Sequence, residues 1–247
     1  MLLTEVPMSE ILPRIKQQVI TYGFSPRADF QISGYYFTQG ASFMKIKHKN
    51  LDLGEYMLAI PGKHNMLNAL SAIIASDQIG ASRYNIKKYL PLYQGCKRRF
   101  EKVGQFGNVL LYDDYAHHPS EIIATLSSIR QWFRDRRIII LFQPHTFSRT
   151  KTLISEFSKS FSQADLALIC DIYPSAREKI DNTINSNMLV LEINKYKKNA
   201  YYLRDKEEVF NYLKREVKER DLIMTIGAGD IYLWHEELKK LLSHKFI

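Results

Sequence analysis

Four apolar runs in the second half of the chain constrain its fold more than any other feature: NVLLYDD at 108–114, RRIIILF at 136–142, DLALICDIY at 165–173 and DLIMTIG at 221–227. A run such as Ile138–Phe142 has no polar face. Both of its faces must be covered, which is the signature of a strand inside a mostly parallel sheet with helices on two sides. The intervening segments carry helical spacing, with Ile122, Leu126, Ile129 and Phe133 on one stripe and Leu153, Phe157 and Phe161 on another. Residues 207–219 read as a further helix. Strand and helix alternate, so the second half is α/β.

The polar residues follow the strands. YDDYAHH, FQPHTFSR, CDIYPSARE and IGAGD each begin where an apolar run ends. In an open parallel sheet these positions converge at the carboxyl edge, where ligands bind. Asp113 and Asp114 suit a turn, or a carboxylate that holds ribose hydroxyls. His118-Pro119-Ser120-Glu121 reads as a helix start, with proline at the first helical position and an acid in the first turn. That cap accounts for Pro119 and Glu121 and leaves Asp114, Tyr115 and His117 for a ligand. Neighbouring histidines on one loop rarely reach one ion, and no HxxxH or CxxC partner exists, so no metal site is assigned. Arg149 and Lys151 fall in the first turn of a helix, where cations do not help the helix dipole. Their placement suits a bound carboxylate or phosphate, or a solvated basic turn.

The first half is written differently. VITYG, ADFQISGYYF, ASFMKIKH and YMLAI are rich in β-branched and aromatic residues, with glycines between them. Their partial alternation predicts antiparallel strands with one wet face. A helix follows from near His64 to Gly80, then a shorter one over about 83–90. Asn65 and Asn68, one turn apart, suit either a cap or the reading of a purine edge.

Composition excludes several classes. The 247 residues, 45% hydrophobic, include no apolar run of the roughly 18 residues that cross a membrane. MLLTEVPMSEILPRIKQQ has no basic leader before an apolar core, so no signal peptide is expected. Two isolated cysteines, Cys96 and Cys170, fit a reducing cytosol. The net charge of +9 suits a basic surface or an anionic ligand. The lysines are scattered, without an arginine-rich arm, so nucleic acid is not expected.

In order and spacing, PGKHNMLNAL, KRRF, DDYAHHPSE, FQPHTFSRT, SARE and GAGDI resemble the Mur ligases, and the alanine-adding members above all. The likeness covers nearly the whole chain. It implies the back half of the family's central ATPase domain over 1–98 and its Rossmann-like carboxyl-terminal domain, with a mostly parallel sheet, over 99–247. It implies ATP-dependent joining of L-alanine to UDP-N-acetylmuramate in peptidoglycan synthesis, in the cytoplasm. Asn65 and Asn68 would contact adenine, Arg99 the ribose and α-phosphate, and Asp114 the ribose hydroxyls. Tyr115, His117, His145, Arg149 and Asp230 would line the substrate site, with His117, His145 and Arg149 catalytic and Arg149 on a carboxylate. Part of the family has arginine at the position of Thr146, which leaves that contact open. The resemblance also implies a hinge near 97–101. The family's GTxGKT-type phosphate loop is not in this sequence, and Gly62-Lys63 lacks its spacing. ATP phosphates and Mg2+ would then be held mainly by an upstream part, which a separate chain could supply. Two other readings stand beside this one: a ligase recycling ready-made tripeptide, and a non-catalytic remnant.

Overall fold

A computed structural model describes residues 2–4, 16, 19–176 and 178–246, the side chains of 2–4 excepted. The chain divides into two compact units, Met1–Gly95 and Cys96–Ile247. The division falls slightly before the expected 98/99, and residues 97–101, expected as a hinge, belong to the second unit.

In the first unit, β1 (Leu2–Thr4), β2 (Val19–Gly23), β3 (Phe30–Thr38), β4 (Ala41–His48) and β5 (Leu51–Leu58) lie in chain order in one sheet. The first two pairings are parallel, and β3, β4 and β5 run antiparallel as expected. Along β4, Ser42, Met44 and Ile46 are buried while Lys45 and Lys47 are exposed, so one face is wet. Helix α1 (Lys63–Gln78) places Met66, Leu70, Ile73 and Ile74 in the same core as Met44 and Ile46. Gly62 precedes it at φ 101, a conformation that costs glycine little. Helix α2 (Arg83–Tyr89) starts where Ser82 Oγ accepts the Asn85 amide at 3.2 Å.

The second unit contains β6 (Glu101–Phe106), β7 (Val109–Asp114), α3 (Pro119–Trp132), β8 (Ile138–Phe142), α4 (Phe147–Thr152), α5 (Ile154–Ser160), β9 (Leu166–Ile169), α6 (Ser186–Tyr196), β10 (Ala200–Tyr202), α7 (Lys206–Glu216), β11 (Leu222–Ile226) and α8 (His235–Phe246). Its sheet has the order β10-β9-β8-β11-β7-β6, parallel throughout except for the antiparallel edge β6. Every residue of β7, β8, β9 and β11 is buried, the two-faced burial that their apolar runs require. Val109, Leu111, Ile139, Leu141, Leu168 and Ile223 pack with α7 and α8, while α5 packs against both α3 and α6. The chain steps from β7 to β8 to β9 to β10, then returns to insert β11 between β7 and β8. That reversal opens a crevice at the carboxyl ends of β7, β11 and β8.

The segment read as one helix with Leu153, Phe157 and Phe161 on a face is two helices that meet at Leu153; Phe157 and Phe161 are buried. β6, α6, β10 and α8 were not foreseen in the sequence.

Residues 96–247 have their own core and are expected to fold without 1–95. A fragment of these residues should give one cooperative thermal transition by circular dichroism. Leu111→Ala, at a fully buried position, should lower its stability by about 2–5 kcal/mol in urea titration. A fragment without a cooperative transition would refute the assignment.

Candidate functional site

Consecutive residues of a strand face opposite sides of the sheet, so the paired acids ending β7 serve different partners. Asp114 is 7% exposed, with Oδ2 accepting the Phe100 amide at 2.9 Å and Oδ1 accepting the Ala116 amide at 2.8 Å. Burial pushes its pKa up against the pull of these amides and of Arg99. Asp113, fully buried, takes Arg98 Nε at 3.2 Å and the Thr225 hydroxyl at 2.6 Å. Between the two acids sits the KRRF loop. Arg98 and Phe100 have φ of 58° and 51°, left-handed values that cost non-glycine residues on the order of 1–3 kcal/mol each. The loop keeps them because its polar groups are tied down. The Arg98 amide donates to Glu101 Oε2 at 2.7 Å, and the Arg98 carbonyl accepts the Tyr115 amide at 2.7 Å. Arg99 is left exposed, its guanidinium 5.5 Å from the centre of the Tyr115 ring.

The histidine cap is present. Pro119 is the first residue of α3, and Glu121 Oε2 accepts the amides of His117 at 2.9 Å and His118 at 3.2 Å. This turn holds the His117 ring 6.3 Å from that of His145, which follows β8. His145 also stacks on Tyr173, at 5.8 Å and 17°, and lies 3.3 Å through Nδ1 from Arg149 Nη1. The Arg149 guanidinium bonds the His145 carbonyl at 3.2 Å as well. Burial, the Arg149 charge and His117 together hold the His145 pKa below its ordinary value. Thr146, at φ 72°, caps α4 by accepting the Arg149 amide.

The anion expected at the start of α4 is supplied by the protein itself. Glu178 accepts the amides of Phe147 at 2.6 Å and Ser148 at 2.9 Å. Burial works against ionisation of Glu178, but the bonds from Ser148 and Phe147 hold its pKa below the usual carboxylate value. Lys151, read in the sequence beside Arg149, is engaged elsewhere, bonding Asp181 at 3.0 Å and Thr183 at 2.7 Å. Among the described residues Arg149 has no acidic partner. Arg177, the neighbour of Glu178 in SARE, lies outside the described residues.

After β11, the GAGD loop fits tightly against Gln143. A side chain at Gly227 would come within 2.7 Å of the Gln143 carbonyl, and one at Gly229 within 2.4 Å of Gln143 Oε1. Gln143 Nε2 donates to Asp230 at 2.8 Å. The second unit thus places Asp114, Tyr115, His117, His145, Arg149 and Asp230 at the carboxyl ends of its strands and in the segments that follow them, at the same edge of one sheet. Asn65 and Asn68 belong to the first unit. Asn65 Nδ2 donates to the Pro61 carbonyl at 2.6 Å, and Asn68 contacts Asn65 Oδ1 at 3.5 Å, local bonds near the start of α1. Among the described residues, no group of three or more His, Cys, Asp or Glu side chains is placed to hold a metal ion.

The family model for the Mur ligase, glutamate ligase domain matches residues 98–229, which contain all of these strand-end loops but the last residue, Asp230. The chain belongs to the Mur ligase family. Among its relatives, the UDP-N-acetylmuramate–L-alanine ligase of Desulfitobacterium hafniense is 44% identical over 87% of this chain and 48% of its own length. That of a Sulfurihydrogenibium species is 38% identical over 96% of this chain and 51% of its own. The Thermotoga maritima UDP-N-acetylmuramate–alanine ligase MurC has the same fold, with a TM-score of 0.76 at 23% identity over 92% of this chain and 48% of that one. MurF of the same organism, in complex with ADP, gives a TM-score of 0.71 at 14% identity over 98% of this chain and 54% of that one. This Mur ligase chain spans about half the length of the curated relatives it matches.

Its strand-end residues were legible from the sequence, but three partners were not. Glu178 reaches α4 across a long loop, and Arg98 and Gln143 act through contacts distant in sequence. Only the Phe-Gln-Pro-His run hinted at Gln143.

Arg149→Met removes a like charge from His145 and should raise its pKa, as read by NMR titration; a fall or no change would contradict the geometry. Because folded His145 holds its proton less tightly than an unfolded histidine at about 6.5, its contribution to stability is present above that pH. It is lost as pH falls through the lowered folded value, and Arg149→Met should weaken this dependence.

Proposed function

We propose that this chain carries the amino-acid-receiving part of an ATP-dependent ligase that joins L-alanine to UDP-N-acetylmuramate. The observation that carries the reading is sequence identity of 34–44%, over 87–96% of the chain, to eight relatives named for that reaction. Those names favour alanine addition over tripeptide recycling, and a built strand-end site favours a working part over a remnant. The relevant chemistry activates a carboxylate as an acyl phosphate, which the alanine amine then attacks. Such steps need charge neutralisation and a site closed to water.

The residues fit these needs as follows. Arg149, a cation without an acidic partner among the described residues, is free to hold a carboxylate, and its fork suits bidentate binding. His145, whose burial and neighbouring charges disfavour its protonation, is assigned as the group beside Arg149 that takes a proton from the incoming amine. His117 and Tyr115 flank it, with Asp230 across the edge. Arg99, exposed above Tyr115, suits a phosphate or ribose. Asp114 has one amide on each oxygen, which leaves a lone pair on each for ribose hydroxyls. Asn65 and Asn68 are assigned to adenine. Magnesium would neutralise phosphate charge when bound, and its ligands would lie mainly upstream. Residues 1–95 are assigned to the back half of the central domain. No helix among the described residues is long and apolar enough to cross a membrane, and we place the reaction in the cytoplasm.

These 247 residues contain no phosphate loop, so assayed alone they should give no alanine-dependent phosphate release; loss of such parts costs orders of magnitude in rate. Adding the upstream half of a relative as a separate polypeptide should bring alanine- and UDP-N-acetylmuramate-dependent release, and Arg149→Ala in this chain should cut it about 100-fold or more. Full turnover by the chain alone, or none in the reconstituted pair, would overturn the reading.

A further inference from the structure

We propose that Arg98 is a positioning residue of this site, set in place by a buried relay from His235 through Thr225 and Asp113. The proposal rests on the reading of Tyr115 and Arg99 as ligand-facing residues.

The relay's donors and acceptors follow from chemistry. The Thr225 hydroxyl is 2.6 Å from Asp113 Oδ1, with the weaker alternative of the Tyr112 carbonyl at 3.3 Å. A carboxylate only accepts, so the hydroxyl proton points to Asp113. The Thr225 oxygen must then accept from His235 Nε2, 2.8 Å away, which fixes the proton of that ring on Nε2. The other Asp113 oxygen takes Arg98 Nε at 3.2 Å, and Arg98 Nη2 donates to the Gly227 carbonyl. With its head held at two points, the guanidinium lies between two rings, 4.9 Å from Tyr115 and 4.4 Å from Tyr232. The Arg98 carbonyl receives the Tyr115 amide.

One residue therefore joins the loop after β7 to the loop after β11, its side chain on the Tyr115 ring and its carbonyl on the Tyr115 amide. Asp113 and Thr225 are fully buried, while the Arg98 and His235 side chains are 20% and 15% exposed. Lysine cannot reproduce this: it has no planar fork to bond Asp113 and Gly227 while stacking on two rings. The relay's role is to hold the left-handed KRRF loop, and with it Arg99, in one conformation.

Amide hydrogen exchange and 15N NMR on the free chain test this, so a failure of the proposed function leaves these readouts unmoved. In Thr225→Val, exchange at Tyr115 and Phe100 should rise about tenfold or more while the amides of Ile139–Phe142 keep their protection. Thr225→Ser should restore the wild-type rates. Arg98→Lys, at a partly exposed position, should show the same local loss and serves if Thr225→Val does not fold. The His235 nitrogen shifts should show the proton on Nε2. Wild-type rates at Tyr115 and Phe100 in both Thr225→Val and Arg98→Lys, an equal rise across β8, or a proton on Nδ1 would each overturn the proposal.

Discussion

Two buried carboxylates on consecutive residues organise everything at the functional edge of the second unit. Asp113 and Asp114 are forced to opposite faces by the strand they end, and each would be costly to bury without compensation. Asp114 is compensated by backbone amides on either side of it in sequence, one from the KRRF loop and one from the turn before α3. Asp113 is compensated by a guanidinium and a hydroxyl from elements distant in the chain. The pair therefore anchors the strained KRRF loop from both faces. Remove the acids and the loop loses the anchors on the Arg98 side chain and the Phe100 amide that help offset two left-handed non-glycine residues.

The same logic explains how α4 is built. A short helix following a strand presents unpaired amides towards the crevice, and these need an acceptor. Glu178 meets them, and its loop also brings Tyr173 onto the His145 ring. Lys151 is drawn off to Asp181. What remains facing the crevice is a guanidinium that, among the described residues, bonds His145 alone, beside an imidazole that holds its proton weakly. Internal satisfaction of the helix end thus leaves charge unspent where a ligand carboxylate would meet it.

How much of this was legible depends on the range over which each interaction acts. The β7, β8, β9 and β11 runs declare themselves because burial on both faces leaves no room for polar residues. The α3 cap declares itself because His118, Pro119 and Glu121 act within one turn. The missed elements differ in signal. β6 is a partly buried edge whose register shifts between Lys102 and Gly104, and its apolar alternation is too short to count. Helix α6 has its Asn185 cap and the stripe Leu189, Val190 and Ile193 in plain view, but it follows a long irregular loop that obscured its start. Helix α8 pairs Leu238 with Leu242 between acidic and basic ends, a readable pattern after the last strand.

The site divides the same way. Residues that act through sequence position, such as His117 and His145 immediately after their strands, could be named from the chain alone. Residues that act through a distant partner could not. The sequence offers no reason to couple Arg98 with Gly227, or Asp113 with His235, until β11 is placed between β7 and β8. That insertion is the one topological event that brings the GAGD loop and the Thr225 hydroxyl beside the acids of β7. In a sheet with strands in simple chain order, β11 would lie beside β10 at the far edge, and Asp113 would be a buried charge facing only Arg98. The return crossover is therefore both what opens the crevice and what makes its buried charge tolerable.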